Sequence, residues 1–457
     1  MHVAGTLLLL CLTISSLGQT LSRQGLAQDL TFLNEAVRRG HPVNYEHQDA
    51  APLAQLIDSV NTLGETSLSV SAYRLVIGSV LQRIGCVHTS VVRNPLSEHH
   101  PPRYFPFVTY LLHQKLYFGR QSADTQAYEG QEIVAINGVP VRKIVGELLQ
   151  YAASDGGGQA FAQQYINRAS TGLLAFYFNY PDQYQIQFPD QDVVIAAIQT
   201  PVTGYRPSNQ ETSLLRNQEN RFAQLAPGVA LLTVKAFSRS DVAFIKQAFE
   251  AIKKAGLTNL ILDLRGNTGG NRSASVTLAK QLVDQPFSYS ILQPKLRPGP
   301  FLNPTGRFYL LLSRFKYQVG HFFKRHRTGF GTEFRYRYQP VKESYRGQLY
   351  VLTDGFTASA ATMVTTWVKQ HTSAVFVGSQ AAGGYNGNNG GSFPLITLPH
   401  SKMQIRFPVY RLILDDKSSQ RTGLVPDHMP AYTIEDVLLN RDKEIEFVLA
   451  RIADSSN

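Results

Sequence analysis

The sequence predicts an α/β layered core at its C-terminal end, preceded by an N-terminal helical domain and a β-rich segment. Three observations carry this reading. From about residue 221, short apolar runs alternate with helical patterns, as in a sheet covered by helices. Residues 20–87 show apolar positions at helical spacing instead. From residue 101 the texture changes to alternating aromatic, β-branched and polar residues, the pattern of short strands.

The front of the chain stands apart. "VAGTLLLLCLTISSLG" is an uncharged apolar run ending in small residues, and it reads as a signal peptide over residues 1–18. Ser16-Leu17-Gly18 forms a small-x-small cleavage site before Gln19, although His2 and the terminal amine are the run's only positive groups. The expected mature protein is exported, periplasmic or secreted. Cys11 lies within the apolar run, which leaves Cys86 as the one thiol after cleavage. That excludes an intramolecular disulfide and a Cys-rich zinc site, and no metal or other cofactor is expected. No second apolar run approaches the length that spans a bilayer.

The helical domain is expected over residues 19–100. "AQDLTFLNEAVRRGHPVNY" supplies a first helix, and Ser67 or Ser69 caps the one carrying Tyr73, Leu75, Val80 and Leu81. The β-rich segment follows over 101–200, where "EGQEIVAINGVPVRKIVGELLQY" reads as a strand, an Asn137-Gly138 turn and a helix from about Val141. The core is expected over 201–457. "GVALLTVKAF", "LTNLILDLRG", "GQLYVLTDG" and "SAVFVG" are its strands; "DVAFIKQAFEAIKKAG" and "SAATMVTTWVKQH" are helices between them. "IEDVLLNRDKEIEFVLARI" is expected to be one terminal amphipathic helix.

The net charge of +11 invites a search for anionic partners. Much of it is local, in a basic insertion at about 290–345 whose densest part is "RFKYQVGHFFKRHRTGFGTEFRYRYQPVKESYR". A nucleic-acid surface interleaves cations and aromatics in this way. Behind an export signal, a solvated cationic surface near an envelope, membrane or substrate is the preferred reading, so no nucleic acid is expected.

Three short stretches carry candidate chemistry. In "DGFTASAATMV", Ser359 opens a helix just after a strand, so its hydroxyl sits where unpaired helix N–H groups point outward. A nucleophile there uses the Ala360 amide to bind a developing oxyanion. The plainer alternative is that Ser359 or Thr357 only caps the helix. No Gly-x-Ser-x-Gly elbow is present, which argues against an α/β-hydrolase. In "LDLRGNTGGN", Gly269 and Gly270 allow a tight turn with exposed amides, a second source of oxyanion donors; the plainer alternative is an ordinary strand-to-helix turn. In "IGCVHTSVV", His88 is the candidate base for a serine nucleophile, against the ordinary alternative of one surface or core histidine among twelve. Cys86 beside it reads as a buried packing thiol.

Taken together, "NLILDLRGNTGGN", "LYVLTDGFTASAATM", "VFVGSQAAGGYNGNNGG" and "GLVPDHMPAYTIEDVLLNRDKEIEFVLARI" resemble, in order, the core motifs of the C-terminal-processing (tail-specific) serine peptidases. "GQEIVAINGVPV" resembles their PDZ-like segment, and "IGCVHTSV" the His motif of the tricorn-core and retinoid-binding-protein branch. The resemblance implies a ClpP/crotonase-like layered core, a PDZ-like module and a polypeptide substrate. It also implies a Ser359 acyl-enzyme with His88 as base, an oxyanion site from Gly269, Gly270 and Ala360, and substrate contact at Gly383 and Gly384. The tail-specific branch takes its base from a Lys on a Gly-Lys-Gly turn. Here the matching position, 384, is Gly, and no Lys occurs from 370 to 401. The His branch is therefore the better match, although Val87 replaces the Ser that precedes its His. That branch also uses a Glu just before "GLVPD", where the count reaches Gln420. The carboxylates nearby are Asp415 and Asp416, and Asp416 is the expected third member. The competing expectation is a catalytically silent relative that binds peptides or a hydrophobic ligand.

Overall fold

A computed structural model describes residues 20–42, 67–93, 103–119, 127–202, 215–217, 219–295 and 298–455. The expected signal peptide lies outside the described residues.

The N-terminal part pairs two strands, β1 (Thr20–Ser22) and β2 (Ser67–Ser69), each of which leads into a helix. Ser22 caps α1 (Arg23–Gly40) by accepting the Gly25 N–H at 3.1 Å, and Ser69 caps α2 (Val70–Ile84) by accepting the Ala72 N–H at 3.1 Å. Of the two serines expected to cap this helix, Ser69 does so. Leu26, Leu30, Leu33 and Val37 of α1 and Tyr73, Ile77 and Ile84 of α2 pack into the same apolar core as Leu232, Leu262 and Trp367 near the other end of the chain. Burial of this stripe, worth about 1.5–3 kcal/mol per large side chain, docks the front helices on the α/β core. Asp29 adds a polar tie, accepting the Tyr73 hydroxyl at 2.7 Å and the His400 and Ser401 amides at 2.7 and 3.0 Å. Beyond α2, β3 (Val91–Arg93) joins a small sheet built from later strands.

The β-rich segment has a core of its own around Phe105, Phe107, Phe118, Ile136, Tyr184 and Phe188. Strands β4 (Thr109–Leu112), β5 (Lys115–Phe118) and β6 (Glu132–Ile133) form one sheet. The second is made by β7 (Ala135–Ile136), β8 (Val139–Pro140), β9 (Gln183–Gln187) and β10 (Asp192–Ala196). The Asn137-Gly138 turn holds φ at 48° and 72°, the two positive angles a type I′ hairpin requires. Helix α3 (Val141–Leu149) begins as expected, and α4 (Ala160–Tyr177) is an element the sequence reading did not anticipate.

The C-terminal part is a layered α/β core. Strand β11 (Leu215–Asn217) lies at one edge, beside β12 (Asn220–Ala226). Next come β13 (Val229–Thr233), helix α5 (Asp241–Lys254), β14 (Asn259–Asp263) and helix α6 (Arg272–Leu282). The basic insertion is a structured part of the core. It contributes β15 (Phe287–Pro294), α7 (Pro304–Gly320), β16 (Arg325–Arg327) and β17 (Gly331–Tyr338). The chain then returns to the first sheet through β18 (Gln348–Thr353), α8 (Ala360–His371) and β19 (Val375–Gly378). The six-stranded order β11-β12-β13-β14-β18-β19 puts four parallel strands side by side, from β13 to β19. Strands β20 (Gly387–Gly390), β21 (Leu395–Thr397), β22 (Gln404–Arg406) and β23 (Tyr410–Ile413) follow. The second sheet runs β16-β17-β15-β23-β20, with β20 at its edge.

The expected single terminal helix is two, α9 (Ile434–Leu438) and α10 (Lys443–Ser455). Asn440 lies between them at φ 57°, a conformation Asn tolerates better than most residues. Helix α10 covers the outer face of the sheet with Ile445 and Val448 against Val229, Ile261 and Tyr350. Arg265, just past β14, bonds Asp442 at 2.8 Å and Glu444 at 3.1 Å, and Asp263 at 3.0 Å. Burial alone would raise the Asp263 carboxyl, but Arg265 and Lys235 hold it well below the usual range.

Candidate active site

In open parallel sheets the loops at the C-terminal strand ends form the ligand crevice. Here the loops after the paired strands β14 and β18 meet, and each is fastened to the other. Ala358 N donates to the Asn267 carbonyl at 3.0 Å, and the Thr357 hydroxyl donates to the Leu264 carbonyl at 3.0 Å. Asp354 organises the turn by accepting the Phe356 N–H at 3.0 Å. Burial raises its carboxyl pKa above the ordinary value.

This clamping holds Ser359 at φ 56° and ψ −117°, a region that costs a non-glycine residue about 1–3 kcal/mol. Its side chain makes no capping bond, so the simple cap does not describe it. The bend resembles the strained strand-to-helix turn of a nucleophile elbow, reached with Ala358 and Ala360 as the small neighbours.

The two glycines expected to donate to an oxyanion differ. The Gly269 N–H is committed to Asn267 Oδ1 at 2.8 Å, so it is not available, and that expectation is corrected. Gly269 instead supplies space, since a Cβ there would lie 2.6 Å from the Ser359 Cβ. Gly270 lines the cavity beside Ser359, and among the described residues no hydrogen bond uses its N–H. Ala360, first residue of α8, keeps the orphan N–H of a helix start.

The cavity encloses about 210 Å³, below the ~300–1,000 Å³ of sites that enclose a whole drug-sized ligand. It therefore suits one side chain of a longer substrate. Ile291, Met363, Leu412 and Phe393 make apolar walls, with Tyr410, Asn388 and Arg272 between them. Asn388 is 1% exposed and its Nδ2 has no hydrogen-bond partner among the described residues. Arg272 bonds the Tyr317 hydroxyl at 3.0 Å and pairs with no carboxylate among the described residues. Burial would lower its pKa, but Tyr317, Tyr289 and Tyr336 around it leave the cation favoured.

His88 reaches the rim of this cavity. Its ring lies 5.1 Å from that of Phe393, a lining residue. The segment is anchored by Asp155, whose Oδ1 accepts the Val87 N–H at 2.9 Å and whose Oδ2 accepts the Gly384 N–H at 3.0 Å. Burial, with the Arg406 charge second, pushes the His88 imidazole down to about 4, against a weaker opposing pull from the Asn389 main chain. The ring is thus neutral at pH 7. Among the described residues its Nδ1 is buried without a hydrogen-bond partner, and no hydrogen bond joins the ring to Ser359. Bonds of this kind are often long before substrate arrives.

Other expected site residues fall elsewhere. Asp416 is exposed on the surface and acts on Arg335, so it does not orient His88. Asp415 holds the Lys417 and Ser418 amides, and Gln420 Nε2 donates to the Gly423 carbonyl. Gly383 and Gly384 are buried behind the site, not in the cavity lining. The Gly383 N–H goes to the Thr357 carbonyl at 3.2 Å and that of Gly384 to Asp155. Cys86 is fully buried and its thiol is pushed up to about 12 by burial and by Asp155, so it is no thiolate nucleophile. The sequence reading missed Asp155, Asn267 and Arg272. Asn267 and Arg272 lie inside or beside the glycine-rich motif; Asp155 carries no local signal.

The fold and this segment define a serine-type peptidase: residues 228–429 match the model of Peptidase family S41. The matched segment holds Gly270, Ser359 and the cavity walls but excludes His88 and Asp155. Among solved structures the chain is similar to mature CPAF, with TM-score 0.62 and 14% identity over 93% of this chain and 95% of that one. Mature CPAF complexed with lactacystin gives TM-score 0.61 and 14% identity over 93% and 97%. The photosystem II D1 C-terminal processing protease is more distant, at TM-score 0.39 and 15% identity over 88% and 93%. At such identities the likeness is one of fold. No curated protein matches the chain in sequence.

Proposed function

We propose that this protein is an exported endopeptidase that hydrolyses peptide bonds through an acyl-enzyme on Ser359, with His88 as general base. The observation that carries this is the placement of Ser359: strained, uncapped, at a helix N-terminus in a cavity that Gly270 also lines. His88 removes the hydroxyl proton as Ser359 attacks the scissile carbonyl. The Ala360 and Gly270 amides hold the oxyanion, His88 returns the proton to the leaving amine, and water clears the ester. Asp155 is a positioning residue that fixes the His88 segment against the Ser359 loops. The resemblance of "IGCVHTSV" to the His motif of the tricorn-core and retinoid-binding-protein branch supports the base, and the apolar run at residues 1–18 supports export.

The cavity lining suggests which residue enters it. Apolar walls beside a guanidinium that pairs with no carboxylate among the described residues favour a substrate side chain with an apolar stem and an anionic tip.

A fluorophosphonate probe tests the reading. Labelling and peptide turnover are expected in the native protein, both lost in Ser359→Ala, with turnover reduced by about 10⁴ or more. A correctly folded protein that neither labels nor turns over peptides would instead be the silent, ligand-binding alternative. N-terminal sequencing of the secreted product beginning at Gln19 tests export.

A further inference from the structure

Helix α7 carries two apolar faces pointing in opposite directions. Gly306, Leu310 and Tyr317 are buried, and Tyr317 packs over the cavity wall at Tyr410, ring centroids 4.9 Å apart. At ~100° per residue, Phe308, Leu311, Phe315 and Val319 fall on the opposite side within an arc of about 80°. They are exposed at 68, 68, 64 and 61%. The turn that follows adds Phe322 at 57% and Phe323 at 98%. A surface helix ordinarily turns its single apolar stripe inward. Single exposed apolar residues need no explanation, but a contiguous stripe marks an interaction surface.

The charges around the stripe indicate what covers it. Residues 304–330 contain six Lys and Arg and no Asp or Glu. Arg307 and Lys316 lie on its two flanks, and Lys324 follows it. A second copy docked through the same patch about a two-fold axis would set these like charges against each other. An anionic lipid surface satisfies both features at once. Among the described residues no helix is long and apolar enough to cross a membrane, so the helix lies on the surface.

We propose that α7 and the turn after it dock in the plane of an anionic lipid bilayer, with the apolar stripe at the headgroup–acyl boundary and the cations on the headgroups. The docked face is opposite Tyr317, which leaves the peptidase cavity beneath the helix. This surface is independent of whether Ser359 is catalytic.

The test is flotation of the full chain with vesicles of phosphatidylcholine alone and of phosphatidylcholine with phosphatidylserine. Binding is expected to the anionic vesicles only, and it should weaken as salt is raised. The exposed double variant Phe315→Ser/Phe323→Ser should lose binding by on the order of tenfold or more, and Lys316→Glu/Lys324→Glu likewise. Unchanged circular dichroism and melting temperature show that these variants fold. No binding to anionic vesicles, binding equal in the variants, or a concentration-dependent dimer abolished by Phe315→Ser/Phe323→Ser without vesicle binding would each overturn the proposal.

Discussion

Asp155 and Val87, 68 positions apart in sequence, are joined by a 2.9 Å hydrogen bond from the Val87 amide to one carboxylate oxygen. The other oxygen takes the Gly384 amide, and the neighbouring Gly383 packs behind Ser359, its built Cβ position 3.1 Å from the Ser359 nitrogen. One buried carboxylate thus links the segment of the proposed base to the loop behind the proposed nucleophile. Asp155→Asn keeps the shape but removes the charge from both bonds. Charge-assisted bonds contribute about 1.5–3 kcal/mol, so stability should fall by roughly 2 kcal/mol. Turnover should fall further than KM rises, because placement of the proposed base and not substrate binding is disturbed. Urea unfolding together with steady-state kinetics checks both; an unchanged kcat would remove Asp155 from the mechanism.

Gly269→Ala should silence the site. The new methyl would sit 2.6 Å from the Ser359 Cβ and 2.8 Å from the Ala360 nitrogen, and φ 105° is a conformation that L side chains rarely adopt. Displacing the proposed nucleophile and oxyanion donor by a fraction of an ångström is expected to slow fluorophosphonate labelling by about 10²-fold or more. Labelling at the native rate would show that Gly269 has no role in placing Ser359.

The backbone at Ser359 predicts an asymmetry between two inactive variants. Ser359→Gly removes the conformational penalty of φ 56° and ψ −117°, whereas Ser359→Ala retains it. The Gly variant should be the more stable by about 1 kcal/mol, the glycine entropy cost having been subtracted. Equal midpoints in thermal unfolding would mean that the turn is relaxed.

The pH dependence follows from two buried imidazoles. His88 is held near 4, by burial first and Arg406 second, and His41 near 3 by burial. The proposed base therefore stays neutral until about pH 4, and the acid limb of kcat/KM should fall there and not near 6.5. Arg406→Gln should move that limb upward. In the unfolded chain both rings titrate near 6.5. Below that pH the unfolded state binds more protons, so stability falls as pH falls toward 4, by up to about 2.7 kcal/mol per unit for two protons. Melting temperatures from pH 7 to 4 check the slope; a flat profile would mean that both rings are protonated in the folded protein.

Arg272 should set the charge preference of the cavity. With peptides differing only at the residue donating the acyl group, Arg272→Gln should reduce turnover of Glu or Asp relative to a neutral isostere by about tenfold or more. An unaltered ratio would leave Arg272 as a partner of Tyr317 alone.

The core strands were legible because their apolar runs are buried on both faces, as at Val229–Thr233 and Asn259–Asp263. The Asn137-Gly138 turn was legible because few other pairs take two positive φ angles cheaply. The terminal helix reads as continuous in the sequence because its apolar periodicity runs on across Asn440, whose positive φ falls between the two helices. Asp416 was chosen by distance along the chain, and distance along the chain carries no information about which carboxylate folds toward an imidazole.

Sequence alone therefore determined the layered α/β core and the local conformations that put Ser359 at a helix start beside a glycine-rich turn, because propensity and periodicity act over a few residues. Tertiary structure alone decided which of the two glycine amides is taken up by Asn267, which carboxylate supports the His88 segment and which cation faces the cavity. Those outcomes depend on hydrogen bonds and burial between segments tens to hundreds of residues apart, where only the packed chain sets which groups meet.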